Sequence, residues 1–164
     1  ETGGTQPAAE GTPRLVGVAG KRGFQAVVVE KSLMSARPRY LDDARSACHA
    51  LGIPVRHSVA GSDSLLLVCH ASEIECSGSK LRAQLQELGA EQVTYGERIA
   101  LVGLVWAGHG VDPDLMSGSL AGMAEEGIGV HFVSSGESPH TATFGVDEER
   151  YEDAIRCIYQ TGRG

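Results

Sequence analysis

Four cysteines (Cys48, Cys69, Cys76 and Cys157) and six histidines are the side chains here best suited to metal binding or nucleophilic chemistry. The cysteines show no C-x-x-C spacing and no paired histidine motif, so they read as reduced structural thiols rather than a zinc or dithiol redox site. His109 stands in "AGHGVDPD" near Asp112 and Asp114. Loop histidines and aspartates more often face water or cap helices, and no metal site is assigned. No G-x-x-x-x-G-K-[ST] run occurs, and "GKRG" at Gly20 is too short to cradle a phosphate. An acylphosphatase-like hydrolase would need an Arg/Asn pair in a phosphate loop, and none stands out. The sequence assembles no catalytic centre.

What recurs instead is a scaffold. "GIPVRHSVAGSDS" (Gly52 to Ser64) has a fainter copy in "GIGVHFVSSGESP" (Gly127 to Pro139), matching at Gly52/Gly127, Ile53/Ile128, Val55/Val130 and Gly61/Gly136 with a constant offset of 75 residues. That offset is the size of a small domain. "LVGVAGK" and "FQAVVVEK" read as strands, because β-branched residues cluster between glycines. Leu41, Ala44, Cys48 and Leu51 recur at helical steps, predicting a helix over Pro38 to Leu51 that Gly52 ends. "IPVRHSV" and "SLLLVCH" predict two strands joined around Ala60 to Asp63. A helix marked by Leu81, Leu85 and Leu88 and stopped by Gly89 follows, then the short strand "QVTY".

The second unit repeats the order. "IALVGLVW" predicts a buried strand containing a core Trp106, Leu115 to Glu126 a helix, and "GVHFVSS" and "HTATFGV" two further strands. Asp147 is expected to cap the last helix, "EERYEDAIRCIYQ", whose acidic "DEER" suits a helix N-terminus. The second unit lacks a final strand, and the spare strand "LVGVAGK" ahead of the first unit is available to fill that vacancy. The fold class expected is α+β: two ferredoxin-like βαββαβ domains, the first inserted in the second. The boundaries are 23–97 for the first, 14–22 plus 98–160 for the second, 1–13 as linker or tag, and 161–164 as tail.

The net charge is −7, and no extended basic patch is present, which argues against a nucleic-acid partner. The longest apolar runs fall far short of a bilayer span, so no membrane partner is expected and the chain reads as cytoplasmic. Read alone, Arg56 and His57 are solvated or paired strand residues.

The segments "GVAGKRGFQAVVVEKSLM", "GIPVRHSVAGSDS", "ERIALVGLVWAG" and "GVDEERYEDAIRCIY" resemble, in order and spacing, the C-terminal regulatory region of the aspartate kinases, most like the lysine-sensitive type. The resemblance runs from about Arg14 to Tyr159, and "AEGT" at Ala9 to Thr12 resembles the link from the kinase lobe. It implies a tandem of ACT domains that dimerise and bind a free amino acid, lysine or threonine, giving feedback control of the aspartate-family pathway (lysine, threonine, methionine). It also implies that the catalytic domain, with its ATP and Mg, is absent, so this chain carries no catalytic residues and no cofactor. It would be a fragment or a separate regulatory subunit of a phosphotransferase, with that catalytic domain as a partner.

Carried over position by position, the family's effector loop falls on Met34, Ser35, Arg37, Tyr40 and Leu41. Its strand half falls on Pro54, Val55, Arg56, Ala60, Gly61, Ser62 and Asp63. The pattern departs at Arg56, where lysine-sensitive relatives have an acidic residue, and at "SPHT" (Ser138 to Thr141), where they have Ser-Glu-Ile-Asn. Lysine would need Arg56 to turn away or Asp63 to compensate. A stand-alone ACT sensor, or a dimerisation subunit that has lost its effector, is the alternative.

Overall fold

The computed structural model describes residues 15–108, 110–135 and 138–163. Its centre is a pair of long antiparallel strands, β1 (Leu15–Glu30) and β4 (Gln92–Trp106). Between them come α1 (Tyr40–Ala50), β2 (His57–Ala60), β3 (Ser64–His70) and α2 (Ala71–Glu87), and after them α3 (Pro113–Glu125), β5 (Val130–Ser135), β6 (Thr141–Asp147) and α4 (Tyr151–Gly162). Six strands form one sheet in the order β2-β3-β1-β4-β6-β5, with every pair antiparallel.

This order contains the ferredoxin-like arrangement twice. Phe24 to Glu30 of β1 lies between β3 and the first part of β4, while Leu15 to Lys21 pairs with Leu101 to Trp106 and completes the second unit. The second unit borrows its last strand from ahead of the first, so the first ACT-type unit is inserted in the second. The glycine-rich "GKRG" does not end a strand as the sequence suggested. The ladder shifts register between Lys21 and Phe24 and again between Gln25 and Val27, and each long strand continues past the shift.

Each unit has its own core against its helices. Val27, Val29, Leu65, Leu67 and Val93 pack with Ala44, Cys48, Leu81 and Leu85 in the first. Val102, Leu104, Trp106, Phe144 and Val146 pack with Leu115, Met123, Ala154 and Ile158 in the second. A third cluster uses the alternate strand residues: Phe24, Ala26, Val68 and Ile99 are buried, with Leu66, Leu101 and Phe132 against them. This cluster joins the units on the faces turned from their helices. His57 of β2 and Phe132 of β5 stack there with ring centroids 5.3 Å apart, although their strands end the sheet on opposite sides. The sheet therefore curls enough to bring one side chain of each edge strand into contact. His57 is not the solvated or paired edge residue expected, since its Nε2 is buried with no hydrogen-bond partner.

The repeat seen in the sequence is a helix terminator. Gly52 and Gly127 have φ of 71° and 66°, which costs glycine no Cβ clash. In both, this residue donates to the carbonyl three before it (His49, Ala124), and the following isoleucine N–H reaches back five, to Cys48 or Met123, at 2.9 Å. The partner glycine Gly136 of Gly61, and His109, lie outside the described residues.

Three further expectations are corrected. The strand "IPVRHSV" shortens to His57–Ala60, because Pro54 has no N–H for a ladder and only Arg56 N–H, to Val68 O at 2.8 Å, prolongs it. The first helix begins at Tyr40 rather than Pro38, since Arg39 at φ 66° cannot continue it. Asp147 does not cap α4. Its carboxylate accepts from Gly129 N–H (2.9 Å) and meets His131 Nε2 (2.8 Å), and a 3₁₀ turn over Glu148–Arg150 precedes the helix. No helix among the described residues is long and apolar enough to cross a membrane.

Candidate effector site

The first β–α connection, from Lys31 to Arg39, is built from backbone ties to the turn between β2 and β3. Lys31 N–H donates to Asp63 O (2.9 Å), Ser35 N–H to Ser62 O (3.0 Å), and Leu33 N–H to the Asp63 side chain (2.8 Å). The loop contains a 3₁₀ turn over Met34–Ala36, flanked by Leu33 at φ 56° and Arg39 at φ 66°. These are the only non-glycine residues with positive φ among the described residues. Each such conformation costs about 1–2 kcal/mol, so the surrounding contacts must impose it.

Between loop and turn lies an open cavity of about 320 Å³ lined by Met34, Ser35, Arg37, Arg39, Tyr40, Leu41, Asp42, Ala60, Gly61 and Leu65. Seven residues expected from the sequence therefore share one wall: Met34, Ser35, Arg37, Tyr40, Leu41, Ala60 and Gly61. Ser62 and Asp63 stand behind it and hold the loop. Arg39, Asp42 and Leu65 were not expected. Leu65 reads as ordinary strand core, and the backbone turn at Arg39 that brings it to the cavity has no signature in its residue type.

Tyr40 forms the inner wall. It is 2% exposed, its ring carries the Arg37 guanidinium 5.3 Å from the centroid, and its Oη is buried without a hydrogen-bond partner. Burial pushes its phenol above the ordinary value, with the Arg37 charge opposing, so it is a neutral group. Arg37 is held by Leu88 O and lies 3.7 Å from Asp43. The cavity also opens at the start of α1, where no side chain caps the helix. Such an end, with its partial positive charge, suits a carboxylate.

The remaining expected residues lie elsewhere. Pro54 and Val55 line a separate surface cavity of about 400 Å³ with Arg45, Ser46, His49 and Ala50. Arg56 turns to Glu73 of α2, at 3.6 Å. Cys48 and Cys69 sit in the first unit's core, where Cys48 and then burial push the Cys69 thiol up and keep it protonated.

No known protein-family model matches the chain. It is similar to aspartokinase 3 of Bacillus subtilis, with 20% identity over 148 residues that cover 89% of this chain and 33% of the relative. Its fold superposes on the aspartate kinase of Clostridium acetobutylicum, described as an allosteric enzyme, with a TM-score of 0.81 and 21% identity over 90% of this chain and 34% of that one. It also superposes on the regulatory subunit of aspartate kinase from Thermus flavus, with a TM-score of 0.74 and 17% identity over 90% of this chain and 98% of that one. This is the aspartate kinase regulatory fold. The chain spans about a third of the length of the Bacillus relative and nearly the whole of the Thermus subunit. In this aspartate kinase regulatory fold, the cavity belongs to the first ACT domain, the inserted one.

Proposed function

We propose that this chain is the amino-acid-sensing regulatory region of an aspartate kinase, a cytoplasmic protein that sets the activity of a separate catalytic domain. The observation that carries the reading is the cavity that loop Met34–Leu41 and the Ala60–Gly61 turn build together in a chain with the aspartate kinase regulatory fold. The uncapped start of α1 would receive the effector's carboxylate, while Ser35 and the loop carbonyls would receive its ammonium. Binding biases the attached kinase only through a difference in affinity between its two states.

A second copy of the chain completes the reading. β2 ends the sheet, so its outer side has no strand partner among the described residues. Two β2 strands pairing antiparallel about a two-fold axis would lay Pro54 to Arg56 of one copy beside Ala60 and Gly61 of the other. That geometry accounts for the distance of the Pro54–Arg56 segment from the cavity in a single chain.

The test is thermal unfolding of the purified chain with a panel of amino acids that includes lysine and threonine. At a hundredfold excess over Kd a ligand of the folded state adds about 2.7 kcal/mol, or ~5–10 °C for a chain this long. A selective rise with one amino acid, lost in Asp63→Ala, supports the sensor. A folded dimer that responds to none of them is a dimerisation subunit without an effector.

A further inference from the structure

We propose that the stacked rings of His57 and Phe132 form a latch through which the second domain holds β2, and with it the β2–β3 turn that walls the cavity. The latch concerns the coupling of the two domains, and only its use in regulation rests on the reading of the cavity as an effector site.

β2 is a four-residue edge strand paired with β3 on one side. At its Ala60 end, Lys31 and Ser35 N–H bond the Asp63 and Ser62 carbonyls and Leu33 N–H bonds the Asp63 carboxylate, so the turn moves with the loop over the cavity. At its other end, the His57 imidazole lies on the Phe132 ring with centroids 5.3 Å apart and planes 15° apart. The two ends are separated by about 10 Å of extended chain. A strand this short moves as one piece, so a displacement at either end reaches the other.

The second domain is built to present that ring. Phe132 pairs with Gly145 of β6, and a Cβ at Gly145 would overlap the ring, so only glycine leaves the ring that place. The ring also packs on the cluster of Phe24, Ala26, Val68 and Ile99, which come from β1, β3 and β4. No ladder joins β2 to β5, so side chains alone carry the contact.

The closed contact also carries a cost. His57 Nε2 is buried with no hydrogen-bond partner, and parting the rings returns it to water. Ring stacking supplies an opposing gain of similar size, so the closed and parted arrangements lie close in free energy, as a two-state element requires. A phenylalanine at position 57 would make the same stack without that cost. The histidine therefore marks a contact set to open rather than one made as firm as possible.

The experiment is amide hydrogen exchange, followed residue by residue by nuclear magnetic resonance on the whole chain without added ligand. Phe132→Leu keeps an apolar side chain in the cluster but removes the ring, and Gly145→Ala pushes the ring off its seat. In both, the Lys31, Leu33 and Ser35 amides should exchange at least fivefold faster, while those of Gly52 and Ile53 at the end of α1 keep their rates. His57→Phe should slow the same loop amides or leave them unchanged. Loop amides that keep their rates in Phe132→Leu and Gly145→Ala overturn the latch. An equal rise across the whole first domain overturns it too, since that is a plain loss of core packing. Titration with threonine and with lysine then separates the latch from the effector site. Binding of either that weakens at least fivefold in Phe132→Leu supports both. Binding that is unchanged in the variant keeps the effector site and overturns the latch. Binding of neither, with the loop amides responding as expected, keeps the latch and overturns the effector site.

Discussion

The two ACT domains enter their first helices by opposite means. In the second, Asp112 accepts from Leu115 N–H at 3.0 Å, Pro113 occupies the first turn, and Trp106 Nε1 ties the loop down through Gly110 O at 2.8 Å. Gly108 and Gly110 take the positive φ angles, where no Cβ is strained. The first domain has no side-chain cap on α1, and leucine and arginine occupy the positive-φ positions. One helix end is satisfied by its own chain, while the other stays open beside a cavity and is held in a costly conformation. The two copies of a repeated fold thus differ at this helix end, and the copy that departs from good local chemistry is the one proposed as the sensor.

The largest effects will show whether the two copies unfold together. Leu67→Ala removes a fully buried side chain of the first core and Phe144→Ala one of the second, costing about 2–5 and 3–5 kcal/mol respectively. Because β1 and β4 run through both domains, each variant should still unfold in one denaturant transition with both halves lost together. Two separated transitions, read by Trp106 fluorescence in the second core and by circular dichroism for the whole, would show independent domains.

Smaller effects separate the two helix ends. Asp112→Ala should cost about 1 kcal/mol, the usual worth of such a cap, and leave amino-acid binding unchanged. Leu33→Gly should act in the other sense. Leu33 is 73% exposed and buries little, so relief of its backbone strain outweighs the added chain entropy, for a gain of up to ~1 kcal/mol in the free protein. The same variant should weaken effector binding, since the loop is no longer held ready. A destabilised Leu33→Gly with unaltered binding would remove the contrast drawn between the two loops.

The domain order was legible because the markers of helix ends are local. Gly52, Gly89 and Gly127 each need only a positive φ and a following apolar residue, and each ends its helix as expected. The missing strand of the second unit was legible by counting. The continuity of β1 and β4 was not, since a register shift in a glycine-rich segment and a true break have the same composition. The site was half legible. Loop positions Met34 to Leu41 converge with Ala60 and Gly61 through ties to the β2–β3 turn, whereas Pro54 to Arg56 sit at the far end of β2 and line a separate cavity. His57 illustrates the remaining limit: its stack on Phe132 joins the ends of the sheet, and only the curl of the whole sheet brings them together.

The smallest expected effect concerns the second domain alone. His131 bonded to Asp147, with Gly129 N–H also donating, holds that carboxyl below its ordinary value. A carboxylate lowered by folding stabilises above its unfolded value and loses that contribution as pH falls through the lower folded value. Stability should thus decline below about pH 4, where Asp147 begins to protonate in the unfolded chain. Asp147 is 38% exposed, so solvent screening limits the contribution to a few tenths of a kcal/mol. His131→Ala should flatten this part of the acid limb, and because the pair lies at β5 and β6 it should leave the cavity of the first domain untouched. An effector affinity that changed with His131→Ala would instead mean that the second domain's edge reports to the first, through the Phe132 and His57 rings one residue away.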